Sequence, residues 1–135
     1  MKESVFVDTS ALYSVADRDE LNHEIATRNW IALLRGGNNL VTTNYVLLET
    51  YSLAQRRLGL PAVMALAEKV APALSVIWIT PQDHATALAA VITANRRRLS
   101  MVDCSSFAVM RSLRIARAFA FDEHFREQGF ETSLA

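Results

Sequence analysis

Four short apolar runs, at residues 5–7, 40–42, 76–79 and 118–121, lie between stretches of helical length. The runs near the two ends, Val5-Phe6-Val7 and Ala118-Phe119-Ala120-Phe121, show no alternation of polar and apolar residues, as expected of strands buried on both faces. Strands separated by helices are joined by crossovers, and crossovers give a mainly parallel sheet with helices on either side. The pattern predicts an α/β fold, a three-layer α/β/α sandwich with a central, doubly wound parallel sheet. In such sheets, ligands bind at the carboxyl ends of the strands.

The intervening helices are readable from period and caps. Residues 20–34 carry Leu21, Ile25, Ile31 and Leu34 before Gly36-Gly37-Asn38-Asn39 stops the helix. Residues 45–58 and 61–70 form a pair. Thr80, Pro81 and Asp83 open a helix that runs to about residue 97, with Thr80 as N-cap. Further helices are predicted over 103–114 and 123–128, the last ending before Gly129.

At 135 residues the chain matches one ordinary domain, residues 1–135, and 51% hydrophobic residues with 4 Gly and 3 Pro exclude a disordered or collagenous chain. No apolar run approaches the ~20 residues that cross a bilayer, and no targeting segment is evident. A single cysteine excludes an internal disulfide, so a reducing cytoplasm is the expected location.

Strand ends are where acids appear. Asp8 follows the first run directly and Asp122 follows the last. Glu49 stands about two turns into a helix, among apolar neighbours, and Asp103 opens another helix behind Met101-Val102. Any one of these aspartates, taken alone, reads first as a helix cap. Together the four converge on one rim, which independent caps have no reason to do. Carboxylates so crowded repel one another and raise each other's pKa, a conflict that a hard divalent cation such as Mg²⁺ or Mn²⁺ resolves. Such an ion activates water and stabilises charge growing on a phosphodiester.

The segments Val7-Asp8-Thr9-Ser10-Ala11, Thr43-Asn44-Tyr45-Val46-Leu47-Leu48-Glu49-Thr50, Ser100-Met101-Val102-Asp103-Cys104-Ser105-Ser106-Phe107 and Phe121-Asp122-Glu123-His124-Phe125 resemble, in order and spacing, the PIN-domain family. Within it they are most similar to VapC-type toxin ribonucleases of bacterial toxin-antitoxin pairs. The resemblance spans nearly the whole chain. It implies a metal-dependent endoribonuclease in which Asp8, Glu49, Asp103 and Asp122 are catalytic and hold Mg²⁺ or Mn²⁺, with Asp8 and Asp103 as principal ligands. It further implies that activated water attacks an RNA phosphodiester to leave a 5′-phosphate and 3′-hydroxyl, and that Thr9 or Ser10 supports Asp8 or the water. A homodimer and a small antitoxin that blocks the rim are the implied partners. Val102 departs from the family, where threonine is common at that place.

Other groups read more plainly. Cys104 reads as a small buried residue, not a nucleophile, and His124 as a capping or packing histidine. Asp17, Asp19, Glu20 and Glu24 read as acids crowding a helix start. Between residues 94 and 117 six arginines, at 96, 97, 98, 111, 114 and 117, face a single acid, Asp103. They read either as solvated helix ends or as RNA-backbone contacts, so the net charge of zero conceals a local +5. Two other classes fit the sheet: a non-catalytic RNA- or protein-binding module, and a phosphoacceptor receiver. The receiver needs a late strand-end lysine, but the only lysines are Lys2 and Lys69.

Overall fold

The computed structural model describes residues 2–134; Met1 and Ala135, the ends of the expected 1–135 domain, lie outside the described residues. Four strands, β1 (Ser4–Val7), β2 (Asn39–Thr43), β3 (Ser75–Ile77) and β4 (Arg117–Phe119), form one sheet in the order β3-β2-β1-β4. All three pairings are parallel. Val5, Phe6 and Val7 are completely buried, as their unbroken apolar character requires.

Around the sheet lie α1 (Thr9–Ala16), α2 (His23–Arg35), α3 (Asn44–Leu58), α4 (Leu60–Ala65), α5 (Pro81–Ala94), α6 (Met101–Ser112) and α7 (His124–Glu127). The chain moves outward from β1 through β2 to β3, then crosses back to place β4 on the other side of β1. The direction of winding therefore reverses between β1 and β4. In an open parallel sheet that reversal leaves a crevice at the carboxyl ends of the two strands.

Two strands are shorter at their carboxyl ends than their apolar runs suggest, for the same reason. Beyond β3, the Ile79 amide donates to Asn44 Oδ1 (2.7 Å) and not to a neighbouring strand. Beyond β4, the Phe121 amide donates to Ser10 Oγ (2.9 Å). Side chains on the rim thus capture amides that would otherwise extend the ladder.

Helix bounds differ where local chemistry outweighs period. α1 has no counterpart among the expected helices. Its eight residues are too few for a clear period, and tertiary packing of Ala11 and Leu12 holds it. α2 begins at His23, not residue 20. Asp17 instead closes α1 and accepts hydrogen bonds from the Tyr13 hydroxyl (2.6 Å) and the Asp19 amide (3.0 Å). Of the four acids assigned to one helix start, only Glu24 lies in that first turn. The pair over 45–58 and 61–70 is present, parted by Gly59 at φ 91°, with its second member passing into a π-helical turn, Leu66–Val70. α5 stops at Ala94 because Asn95 adopts a left-handed conformation.

An aromatic cluster sets the position of the last rim segment. Phe125, fully buried, lies against Phe6 (6.3 Å between centroids), Phe107 (5.0 Å) and Phe130 (6.4 Å). It clamps the turn that carries Asp122 and His124 onto β1 and α6.

Candidate metal centre

Asp8 leaves β1 and caps α1. Its Oδ2 accepts from the Ser10 amide (3.1 Å) and the Ser10 hydroxyl (2.7 Å), while its own amide donates to the Phe119 carbonyl of β4 (3.1 Å). Ser10 therefore joins both sides of the crevice, because the oxygen that donates to Asp8 also accepts from Phe121. Thr9 turns away: its hydroxyl donates to the Val46 carbonyl (3.2 Å) and lies 3.0 Å from that of Thr50. Of the two candidates for bracing Asp8, Ser10 does so.

Asp103 is the third residue of α6, not its cap. Ser100 is the cap, and the two form a reciprocal box: the Asp103 amide donates to Ser100 Oγ (3.0 Å) and the Ser100 amide to Asp103 Oδ2 (3.2 Å). Asp122 follows β4 and accepts the His124 amide on Oδ1 (2.9 Å). In each of these three aspartates one oxygen anchors backbone, and the other has no hydrogen-bond partner among the described residues. Capping and convergence are therefore compatible.

The electrostatics reflect crowding in a dry place. Burial, with smaller contributions from Asp103 and Asp122, raises Asp8 from 3.8 to about 6 against the opposing Ser10 hydrogen bonds. Burial and then the Asp122 charge raise Asp103 to about 6. Glu49 is half-buried on α3 and also raised, by desolvation first and then by Asp8 and Asp122, with the nearby Thr9 hydroxyl opposing. The mutual repulsions place all four acids in one electrostatic neighbourhood.

His124 belongs to this neighbourhood, which sequence reading missed. One ligand atom each from Asp103, Asp122 and His124 lies within 4.8 Å of the others. The ring is buried, and Nδ1 lies 2.7 Å from Glu127 Oε1, which in turn meets Arg96 (3.3 Å). Only its spacing two residues after Asp122 pointed there.

The six clustered arginines divide. Arg117 pairs with Glu3 (2.7 Å) beneath the sheet, at the amino end of β4, and Arg111 covers Phe107 and Phe130 while donating to Gln128 (2.7 Å). Arg114 is exposed just beyond the carboxyl end of α6, and only Arg96, Arg97 and Arg98 stand in the loop before Ser100. Two arginines outside the cluster, Arg28 and Arg126, line an open cleft of ≈ 700 Å³ that includes Asp122, Glu123, Asn29 and Thr132. Cys104 is buried with its pKa raised, chiefly by desolvation, which suits packing and not nucleophilic attack. Among the described residues no helix is long and apolar enough to cross a membrane.

The donor set fits a hard divalent cation, since it consists of carboxylate oxygens with one imidazole beside them. Comparison with known proteins bears on the family. Two proteins of Mycobacterium tuberculosis, strains CDC 1551 and H37Rv, each named 23S rRNA-specific endonuclease VapC20, are 35% identical to this chain over 127 residues, covering 93% of it and 95% of the relative. The crystal structure of M. tuberculosis VapC20, described as a Sarcin-Ricin loop cleaving toxin, matches with a TM-score of 0.86 and 31% identity, over 97% of this chain and 99% of that one. The PIN domain model matches residues 5–131, and the chain belongs to the PIN-domain family.

Proposed function

We propose that this chain is a divalent-metal-dependent endoribonuclease, the toxic member of a toxin-antitoxin pair acting in the cytoplasm. The observation that carries the reading is the convergence of Asp8, Glu49, Asp103 and Asp122 at the switch point of the sheet. Two of these acids are raised to about 6 by their own burial and crowding. A cluster so costly to ionise makes sense where a cation is held.

Asp8 and Asp103 are the principal ligands, with Asp122 completing the set. Bound Mg²⁺ or Mn²⁺ would supply Lewis acidity toward water and toward the phosphate being cleaved. The protein's own groups do the rest. Ser10 holds the free oxygen of Asp8 toward the crevice by fixing the other one. Glu49, half-buried and raised in pKa, would accept the proton of the attacking water in place of binding the ion directly. Arg28 and Arg126 line the cleft leading to Asp122, where their guanidinium groups hold the RNA backbone in register.

Likeness to a relative named for 23S rRNA supports 23S rRNA as the first substrate to test. A second copy of the chain and a small antitoxin that blocks the rim complete the proposed partners.

The experiment compares parent, Asp8→Asn and Asp122→Asn on 23S rRNA in Mg²⁺, in Mn²⁺ and in chelator. The parent cleaves only with metal, and each variant falls by about 10²-fold or more, the scale of losing one strong electrostatic contact to the transition state. Equal cleavage by parent and variants, or full cleavage in chelator, refutes the proposal, and no cleavage by the parent with either metal leaves a binding module.

A further inference from the structure

We infer that His124 is a metal ligand through Nε2, so that the site holds a mixed oxygen and nitrogen donor set and takes Mn²⁺ in preference to Mg²⁺. This rests on the metal reading above and adds a residue to it.

The ring is oriented from behind. Nδ1 lies 2.7 Å from Glu127 Oε1, and Glu127 is itself held by Arg96 at 3.3 and 3.4 Å. A carboxylate on one ring nitrogen fixes the tautomer and directs the other nitrogen outward, which is the usual support of a metal-bound histidine. Nε2 makes no hydrogen bond among the described residues. It lies 4.0 Å from Asp122 Oδ1, beyond hydrogen-bond distance, on a side chain 9% exposed. An imidazole nitrogen open to the crevice and without a hydrogen-bond partner among the described residues, on an otherwise buried ring facing two carboxylates, is an incomplete arrangement.

The spacing suits one ion. The ligand atoms of Asp103, Asp122 and His124 all lie within 4.8 Å of one another. Ligands about 2.1 Å from a shared cation stand about 3 Å apart when cis and about 4.2 Å when trans, so closure needs shifts on the order of an ångström. The turn bearing His124 is anchored by buried Phe125, which confines its own shift to side-chain rotation. Carboxylates alone serve Mg²⁺ and Mn²⁺ alike, whereas an imidazole favours first-row transition ions over Mg²⁺.

The test needs no catalysis. Mn²⁺ is added to the full chain, and electron spin echo modulation is recorded on protein grown with ordinary histidine and with ¹⁵N-histidine. Directly bound imidazole gives a ¹⁴N modulation that the ¹⁵N label removes. His124→Gln loses it and lowers Mn²⁺ affinity about tenfold or more, while Mg²⁺ affinity changes less than about threefold. Should the variant fail to fold, the labelled parent decides the matter alone. If Mn²⁺ binds, and Asp103→Asn weakens it, but no nitrogen modulation appears, His124 is not a ligand and the carboxylate site stands without it. If the parent binds no Mn²⁺ at all, the metal reading falls and this inference with it.

Discussion

Asp8→Asn should make the metal-free protein more stable, although it removes a residue proposed to be essential. In the folded chain Asp8 is raised from 3.8 to about 6, chiefly by burial. A carboxyl raised on folding binds its proton more tightly in the native state. Its stability contribution is therefore full below the unfolded pKa and is lost as pH climbs through about 6. The interval from 3.8 to about 6 corresponds to about 3 kcal/mol of penalty at pH 7.5, an upper bound because part is repulsion shared with Asp103 and Asp122.

Asparagine keeps the shape and an oxygen that accepts from Ser10, but carries no charge. Half of the bound, about 1.5 kcal/mol, is a reasonable expectation, which for a chain of this length raises Tm by about 6 °C. The assay is thermal and urea unfolding of both proteins in chelator at pH 5 and pH 7.5. Subtracting parent from variant cancels the titrating groups that do not interact with Asp8, and the relief of Asp103, Asp122 and Glu49 adds to the gain in the same direction. The gain should appear at pH 7.5 and shrink at pH 5, where Asp8 in the parent is largely protonated. Saturating Mn²⁺ should reverse the order, because only the parent keeps the full ligand set. A variant no more stable than the parent at pH 7.5 in chelator would refute the claim that Asp8 is held in a strained, ionised state awaiting a cation.

Two further outcomes follow from single contacts. Ser10→Ala removes the hydroxyl that donates to Asp8 and accepts from Phe121; it should raise the Asp8 pKa further, weaken Mn²⁺ binding by about tenfold and cost about 1 kcal/mol in urea unfolding, and unchanged Mn²⁺ affinity by calorimetry would count against the brace. Arg28→Gln with Arg126→Gln should raise KM for RNA while kcat holds, and lower the slope of log affinity against log salt by about 1 for each arginine removed; an unchanged slope in filter binding would place the RNA elsewhere.

How much of this was legible in the sequence depends on whether a signal was local. The sheet was, because Val5, Phe6 and Val7 carry their two-sided burial in their composition. So were Asp8 and Asp122, since an acid at the end of an apolar run is visible without coordinates. The fates of the arginines were not legible. Arg111 lies in the helix that carries Asp103 and Arg117 shortly beyond it, yet Glu3 claims Arg117, and Phe107 with the distant Phe130 claims Arg111. Arg28 and Arg126 carry no clustering signal and come together only because α2 and α7 both line the cleft beside Asp122. His124 shows the harder case. Its spacing suits a cap or a packed ring, and it is indeed packed; what distinguishes it is the pair of Glu127 behind one nitrogen and two acids before the other. The same lesson applies to the aspartates. Each one caps backbone with one oxygen, so the structural and the functional readings were never alternatives. A carboxylate has two oxygens, and each of these aspartates uses one for the fold while the other, without a hydrogen-bond partner among the described residues, is left for the proposed cation.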